Sequence, residues 1–163
     1  MVKKKIKLLL VDDEEEFVTA LSERLQMREV GSQVALNGSE ALEMVEDGVP
    51  DVMVLDLRMP GIDGLEVLER VKKAYPKVQV IILTGHGSDK DEEIARRLGA
   101  YDYLTKPVDL DHLLDRIRTA YRSVQVDLTA AALAEGGDPD SAREIMSSKR
   151  RDREDRKRGD GST

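Results

Sequence analysis

Four sets of side chains suited to phosphate and metal chemistry stand out along this chain. They are the adjacent acids Asp12 and Asp13 with Glu14 behind them, the solitary Asp56 between Leu55 and Leu57, the hydroxyl of Thr84 before Gly85, and the ammonium of Lys106 before Pro107. Asp56 is the oddest, because it closes an apolar run and is soon followed by Pro60-Gly61, which no strand or helix would carry through. Carboxylates brought together repel one another, and each then holds its proton more tightly. A hard dication removes that conflict. Mg²⁺ takes oxygen ligands at roughly 2.0–2.1 Å, keeps several waters, uses one or two carboxylates and bridges to phosphate oxygens. Beside it a lysine supplies a point charge for a phosphoryl oxygen and a threonine hydroxyl a hydrogen bond for another. An aspartate at the rim of a core can then act as a nucleophile toward phosphorus. Phosphoryl transfer asks mainly for positioning and charge neutralisation, which this set offers.

These residues meet only if the elements between them fold suitably. Short apolar runs at 6–11, 33–36, 52–55, 78–83 and 101–104 read as strands. Segments with helical spacing alternate with them. Residues 14–27 carry Phe17, Leu21 and Leu25 at steps of four, and Asn37 with Glu40 predicts a capping box ahead of Ala41, Leu42 and Val45. Residues 64–75 turn Leu65, Leu68 and Val71 inward before Pro76. Residues 89–98 form a charged helix, and 109–121 a strongly amphipathic one through Leu110, Leu113, Leu114, Ile117 and Tyr121. Five strand-then-helix units predict an α/β fold, a doubly wound five-stranded parallel sheet with helices on both faces. Ligands of such sheets bind outside the carboxyl ends of the strands. Asp12, Asp13, Asp56, Thr84 and Lys106 all follow predicted strand ends, so they fall on one edge.

Composition narrows the classes further. The 163 residues allow one domain with a real core, and the net charge of −7 argues against nucleic-acid binding by this chain. There is no cysteine, which suits a cytoplasmic setting and removes thiolate chemistry. No apolar stretch approaches the roughly 20 residues that cross a bilayer, so no membrane association is expected. A boundary is expected near residue 123. Residues 123–163 hold eight basic and nine acidic side chains, an alanine-rich patch and a Gly-Gly-Asp-Pro break at 136–139. They read as a charged tail, partly helical or disordered, with i,i+4 pairs such as Arg150–Glu154 and with Leu128, Leu133, Ile145 and Met146 as docking residues.

The motifs together resemble the receiver domain of two-component response regulators. Asp12-Asp13, Asp56 followed by Met59-Pro60 and Gly64, Thr84-Gly85 and Lys106-Pro107 occur in that family's order, and the resemblance covers residues 5–122. Leu83-Thr-Gly-His-Gly87 with 99–107 is most similar to receivers of the nitrogen-regulator class, whose ATPase and DNA-binding domains do not follow within these residues. The resemblance implies a flavodoxin-like strand order of 2-1-3-4-5. It implies that Asp56 accepts a phosphoryl group from a histidine kinase or phosphotransfer protein, and that Asp13 ligates Mg²⁺ with Asp12 acting directly or through water. It also implies that Asp56 and the Arg58 backbone carbonyl complete the protein ligands, and that Lys106 and Thr84 hold the phosphoryl oxygens. Tyr103, three residues before the lysine, matches the family's switch aromatic. The surface of residues 89–122 would then change to meet a downstream protein target, or to pair in a homodimer.

The expected protein is a single-domain response regulator, a switch rather than an enzyme in the usual sense. Plainer readings stand beside this one. Acids at 12–14 also suit a helix N-terminus, Tyr103 also suits packing on a strand, and His86 and His112 suit exposed positions. A phosphorylation-independent adaptor and a small-molecule phosphatase using Asp56 are the competing functions. Aspartate-nucleophile phosphatases want a second acid two residues on, where this chain has Arg58.

Overall fold

The computed structural model describes residues 5–136, with side chains up to Gln125. Strands β1 (Leu8–Val11), β2 (Ser32–Ala35), β3 (Val52–Leu55), β4 (Gln79–Thr84) and β5 (Asp102–Thr105) alternate with helices α1 (Glu15–Met27), α2 (Gly38–Asp47), α3 (Gly64–Ala74), α4 (Asp89–Arg97) and α5 (Leu110–Gly136). Every strand pair is parallel and the order is β2-β1-β3-β4-β5, as the resemblance implied.

Both faces of the sheet are covered, which is why its central strands read as unbroken apolar runs. Side chains alternate between two cores. Leu9, Val11, Met53, Leu55, Val80 and Ile82 pack with Ala41 and Val45 of α2, Val67, Leu68 and Val71 of α3, and Ala95 of α4. Leu8, Leu10, Val52, Val54, Ile81 and Leu83 pack on the other face with Val18, Leu21 and Leu25 of α1 and Leu113, Leu114 and Ile117 of α5. Each fully buried side chain of this kind contributes about 1.5–3 kcal/mol.

Some expectations shift. β2 and β5 sit one residue from their predicted positions, and β4 runs on to include Thr84. On α3 the buried residues are Val67, Leu68 and Val71, with Leu65 only partly covered, because the helix turns its 67–71 ridge to the sheet. The capping box expected at α2 is half formed. Asn37 Oδ1 accepts from the Glu40 amide at 2.8 Å, but Glu40 reaches back to the Leu36 amide instead of that of Asn37. A complete capping box occurs at α4, between Ser88 and Asp91. Helix α5 does not stop near 121, since no proline or glycine interrupts the sequence before Gly136. The first compact unit runs to Val124. The tail beyond 136, with Asp138-Pro139, Ile145, Met146 and the charge pairs of 149–158, lies outside the described residues, as do the side chains of Leu128 and Leu133.

Candidate functional site

The carboxyl edge of the sheet gathers what the sequence separates. The Asp12 amide donates to the Ala35 carbonyl at 3.1 Å and that of Asp56 to the Val11 carbonyl at 3.0 Å, so both acids continue the ladder beyond the last strand residues. The Lys106 amide donates to the Thr84 carbonyl at 2.9 Å, which fixes the end of β5 against the end of β4. Carboxylate oxygens of Asp12, Asp13 and Asp56 all lie within 4.8 Å of one another. Asp12 and Asp56 are each only 4% exposed, Thr84 is buried, and Asp13 faces solvent.

Lys106 stands over this cup. Its Nζ donates to Asp12 Oδ2 at 2.7 Å, and lies 3.8 Å from Glu14 Oε1 and 3.9 Å from Asp56 Oδ2. It also sits 4.2 Å from the centre of the Phe17 ring, a cation–π contact. Phe17 was expected as a core residue of α1. It is half-buried because the lysine uses its face, while Val18 takes the core position. Asp12 is thereby satisfied twice, since its Oδ1 accepts from the Glu14 amide at 2.9 Å. Asp56 is not. Burial raises its pKa above the ordinary carboxylate value, Thr84 opposes that, Asp12 adds to it, and Lys106 and the Arg58 amide oppose it. Thr84 and Arg58 lie near enough to favour the ionised form, yet neither meets Asp56 Oδ1 with hydrogen-bond geometry, and that buried oxygen has no partner among the described residues.

The neighbouring loops are built for close approach. A Cβ at Gly64 would stand 2.3 Å from the Asp56 carbonyl oxygen and 2.6 Å from the Leu57 Cα, so α3 can begin this near the acid only with glycine there. The Gly64 amide donates to the Leu57 carbonyl at 3.0 Å, and Asp63 caps α3 by accepting from the Glu66 amide at 2.9 Å. Gly87 plays the same part for Tyr103, whose hydroxyl occupies the place a side chain at 87 would need, 1.6 Å from the Cβ position and beside the Thr84 methyl. That hydroxyl is buried without a partner among the described residues, and burial raises its pKa, with Asp91 and Glu92 adding to the shift. The Tyr103 ring is thus turned toward Gly87 and Thr84. Spacing alone carried no sign of Phe17 or Gly87 as site residues, for neither bears reactive chemistry. His86 is exposed, with its amide 3.4 Å from Thr84 Oγ1.

The donor set fits Mg²⁺. Three carboxylates and one ammonium leave a local charge that a dication would cancel, the ligands are hard oxygens, and one of them is an orphaned buried oxygen.

The fold and this edge define a parallel α/β domain with a cluster of three acids, one of them a buried carboxylate, at the carboxyl ends of its strands. Residues 8–118 match the family model described as the response regulator receiver domain. The response regulator MprA of Mycobacterium leprae is 36% identical over 129 residues, covering 79% of this chain and 57% of that protein. The alkaline phosphatase synthesis transcriptional regulatory protein PhoP of Bacillus subtilis is 33% identical over 120 residues, covering 74% of this chain and 50% of that one. The receiver domain of NtrX from Brucella abortus superposes with a TM-score of 0.67 at 30% identity, over 71% of this chain and 98% of that domain. This chain belongs to the response regulator receiver family of two-component signalling. It spans about half the length of the curated relatives MprA and PhoP. Receivers of this family bind Mg²⁺ at an acidic pocket and work with histidine kinases and downstream targets. Among the described residues no helix is long and apolar enough to cross a membrane.

Proposed function

We propose that the domain is a phosphorylation switch in which Asp56 accepts a phosphoryl group from the phosphohistidine of a histidine kinase or phosphotransfer protein. The observation that carries this reading is the buried Asp56 carboxylate, with one unpartnered oxygen, held within reach of two further acids, Thr84 and Lys106. A carboxylate oxygen of Asp56 attacks phosphorus, an O–P bond forms and the donor's N–P bond breaks. The electron pair leaves with the imidazole, which departs neutral because its other nitrogen carries the proton. Mg²⁺, held by Asp13, Asp56, the Arg58 carbonyl and Asp12 directly or through water, would neutralise the charge of the transferring group. Lys106 would pass from Asp12 to a phosphoryl oxygen, and Thr84 would donate to another. The new group brings about −1.5 to −2 charge beside Thr84 and Tyr103.

The readout we assign to the surface of residues 89–122, through Tyr103, toward a protein target or a second copy of the chain in a cytoplasmic setting. Catalysis for its own sake is not part of this role, because Arg58 stands where an aspartate-nucleophile phosphatase needs its second acid. The test is intact mass after incubation with Mg²⁺ and a small acyl phosphate. One added phosphoryl group, absent in Asp56→Asn and without Mg²⁺, is expected. Rapid turnover of assorted phosphate esters would identify a phosphatase, and no adduct under any condition would identify a phosphorylation-independent adaptor.

A further inference from the structure

Arg58 reaches the site and α4 at once. Its backbone lies two residues past Asp56, on the loop whose carbonyl the reading above gives to the metal. Its guanidinium Nη2 points away and donates to Asp91 Oδ2 at 3.0 Å. Asp91 is no ordinary surface acid. It is the capping-box residue of α4, and the same Oδ2 accepts from the Ser88 amide at 3.0 Å, while the Asp91 amide donates to Ser88 Oγ at 3.1 Å. Its side chain is 18% exposed, against 60% for Arg58, so the acid is the fixed end and the arginine the movable one. The two residues line one cleft with Leu57, Met59, Asp63 and Leu65.

The loop transmits what happens to Arg58. Leu57 and Met59 on either side of it are buried, 3% and 8% exposed, and anchor the chain in the core. A carbonyl that turns at Arg58 therefore cannot move its neighbours freely, and the change falls on the Arg58 backbone and the direction of its side chain. That side chain is tied to the first turn of α4.

We propose that the Arg58–Asp91 pair is a tie between the metal site and α4, so that a divalent cation at Asp12, Asp13 and Asp56 orders the first turn of α4 through Arg58. This inference rests on the site reading above. Coupling of this kind is reciprocal, so α4 sets the cation affinity as much as the cation sets α4. Arg58 acts here as a positioning residue, through its own carbonyl.

The experiment measures amide hydrogen exchange across residues 88–97 and Mg²⁺ binding by calorimetry, on the full chain with Mg²⁺ alone and no phosphodonor. The variants are Arg58→Ala, Arg58→Lys, Asp91→Asn and the double variant of the first and third. Asp91→Asn keeps an oxygen for the Ser88 amide while removing the charge. In the wild type, Mg²⁺ slows exchange in the first turn of α4. In Arg58→Ala and in Asp91→Asn that slowing disappears and Mg²⁺ binds about two- to fivefold more weakly, the range of a partly exposed ion pair. The double variant is no worse than either single one, and Arg58→Lys recovers part of the effect. A pair that only stabilised the fold would change exchange equally with and without Mg²⁺. Wild-type protein that binds Mg²⁺ without slowing α4, or variants that keep the slowing, would overturn the tie and leave the site reading intact. Wild-type protein that binds no Mg²⁺ would remove the site reading itself.

Discussion

Replacing Asp56 by asparagine should make the metal-free protein more stable, though the residue is the centre of the site. The wild-type carboxylate is 4% exposed and its Oδ1 has no hydrogen bond among the described residues. Lys106 lies 3.9 Å from its other oxygen, worth about 4 kcal/mol of attraction at an effective dielectric of about 20. Asp12, no more than 4.8 Å away, contributes at least about 3.5 kcal/mol of repulsion on the same scale, so the two nearly cancel. What remains is the cost of burial. Asparagine keeps the shape, removes the charge and can donate to Asp12. The expected gain is about 1–3 kcal/mol, the cost of leaving one buried polar group unsatisfied, or roughly 3–12 °C in Tm for a domain of this size.

The sign with pH follows from burial. Asp56 has a folded-state pKa above the ordinary value of 3.8, so its protonated form favours the fold. Wild-type stability is therefore lost as pH rises from 3.8 through the folded pKa, and the advantage of Asp56→Asn grows over that window and vanishes below it. Mg²⁺ acts oppositely. It should stabilise the wild type, by about 2.7 kcal/mol at one hundred times its Kd, and the variant less. Urea and thermal unfolding between pH 4 and 7.5, with Mg²⁺ and with a chelator, measure all of this. A variant no more stable than the wild type in chelator at neutral pH, or equal Mg²⁺ stabilisation of both proteins, would refute the reasoning.

Tyr103→Phe removes the unpartnered buried hydroxyl and should stabilise the inward ring by about 1 kcal/mol in urea unfolding. Gly87→Ala should do the reverse and expel the ring, seen as a shift of the Tyr103 ring resonances toward those of an exposed tyrosine. Gly64→Ala drives a methyl into the Asp56 carbonyl, so unfolding should show a loss of about 2 kcal/mol or more and calorimetry weaker Mg²⁺ binding. Glu29 holds a left-handed φ of 64° just past α1, with the Val30 amide bonded to the Leu25 carbonyl at 3.0 Å, so Glu29→Gly should add about 1 kcal/mol of stability in the same assay.

The alternation of apolar runs with helical spacing was enough to establish a parallel α/β sheet, because strands buried on both faces must be apolar throughout. The rule that ligands meet the carboxyl edge then picked out Asp12, Asp13, Asp56, Thr84 and Lys106, whose reactivity is written in their side chains. Partnership was not legible. Nothing in the order of residues says that Lys106 bonds Asp12 at 2.7 Å and leaves Asp56 at 3.9 Å, that Phe17 lends its ring face to that lysine, or that Gly87 makes room for a phenol. Those depend on differences in distance of about an ångström between side chains from different strands, set by how two cores pack at once. The Arg58–Asp91 pair joins residues 33 apart, which no local pattern can anticipate. Side-chain chemistry and periodicity are properties of the chain, whereas which oxygen goes without a proton donor is decided only when every neighbour is in place.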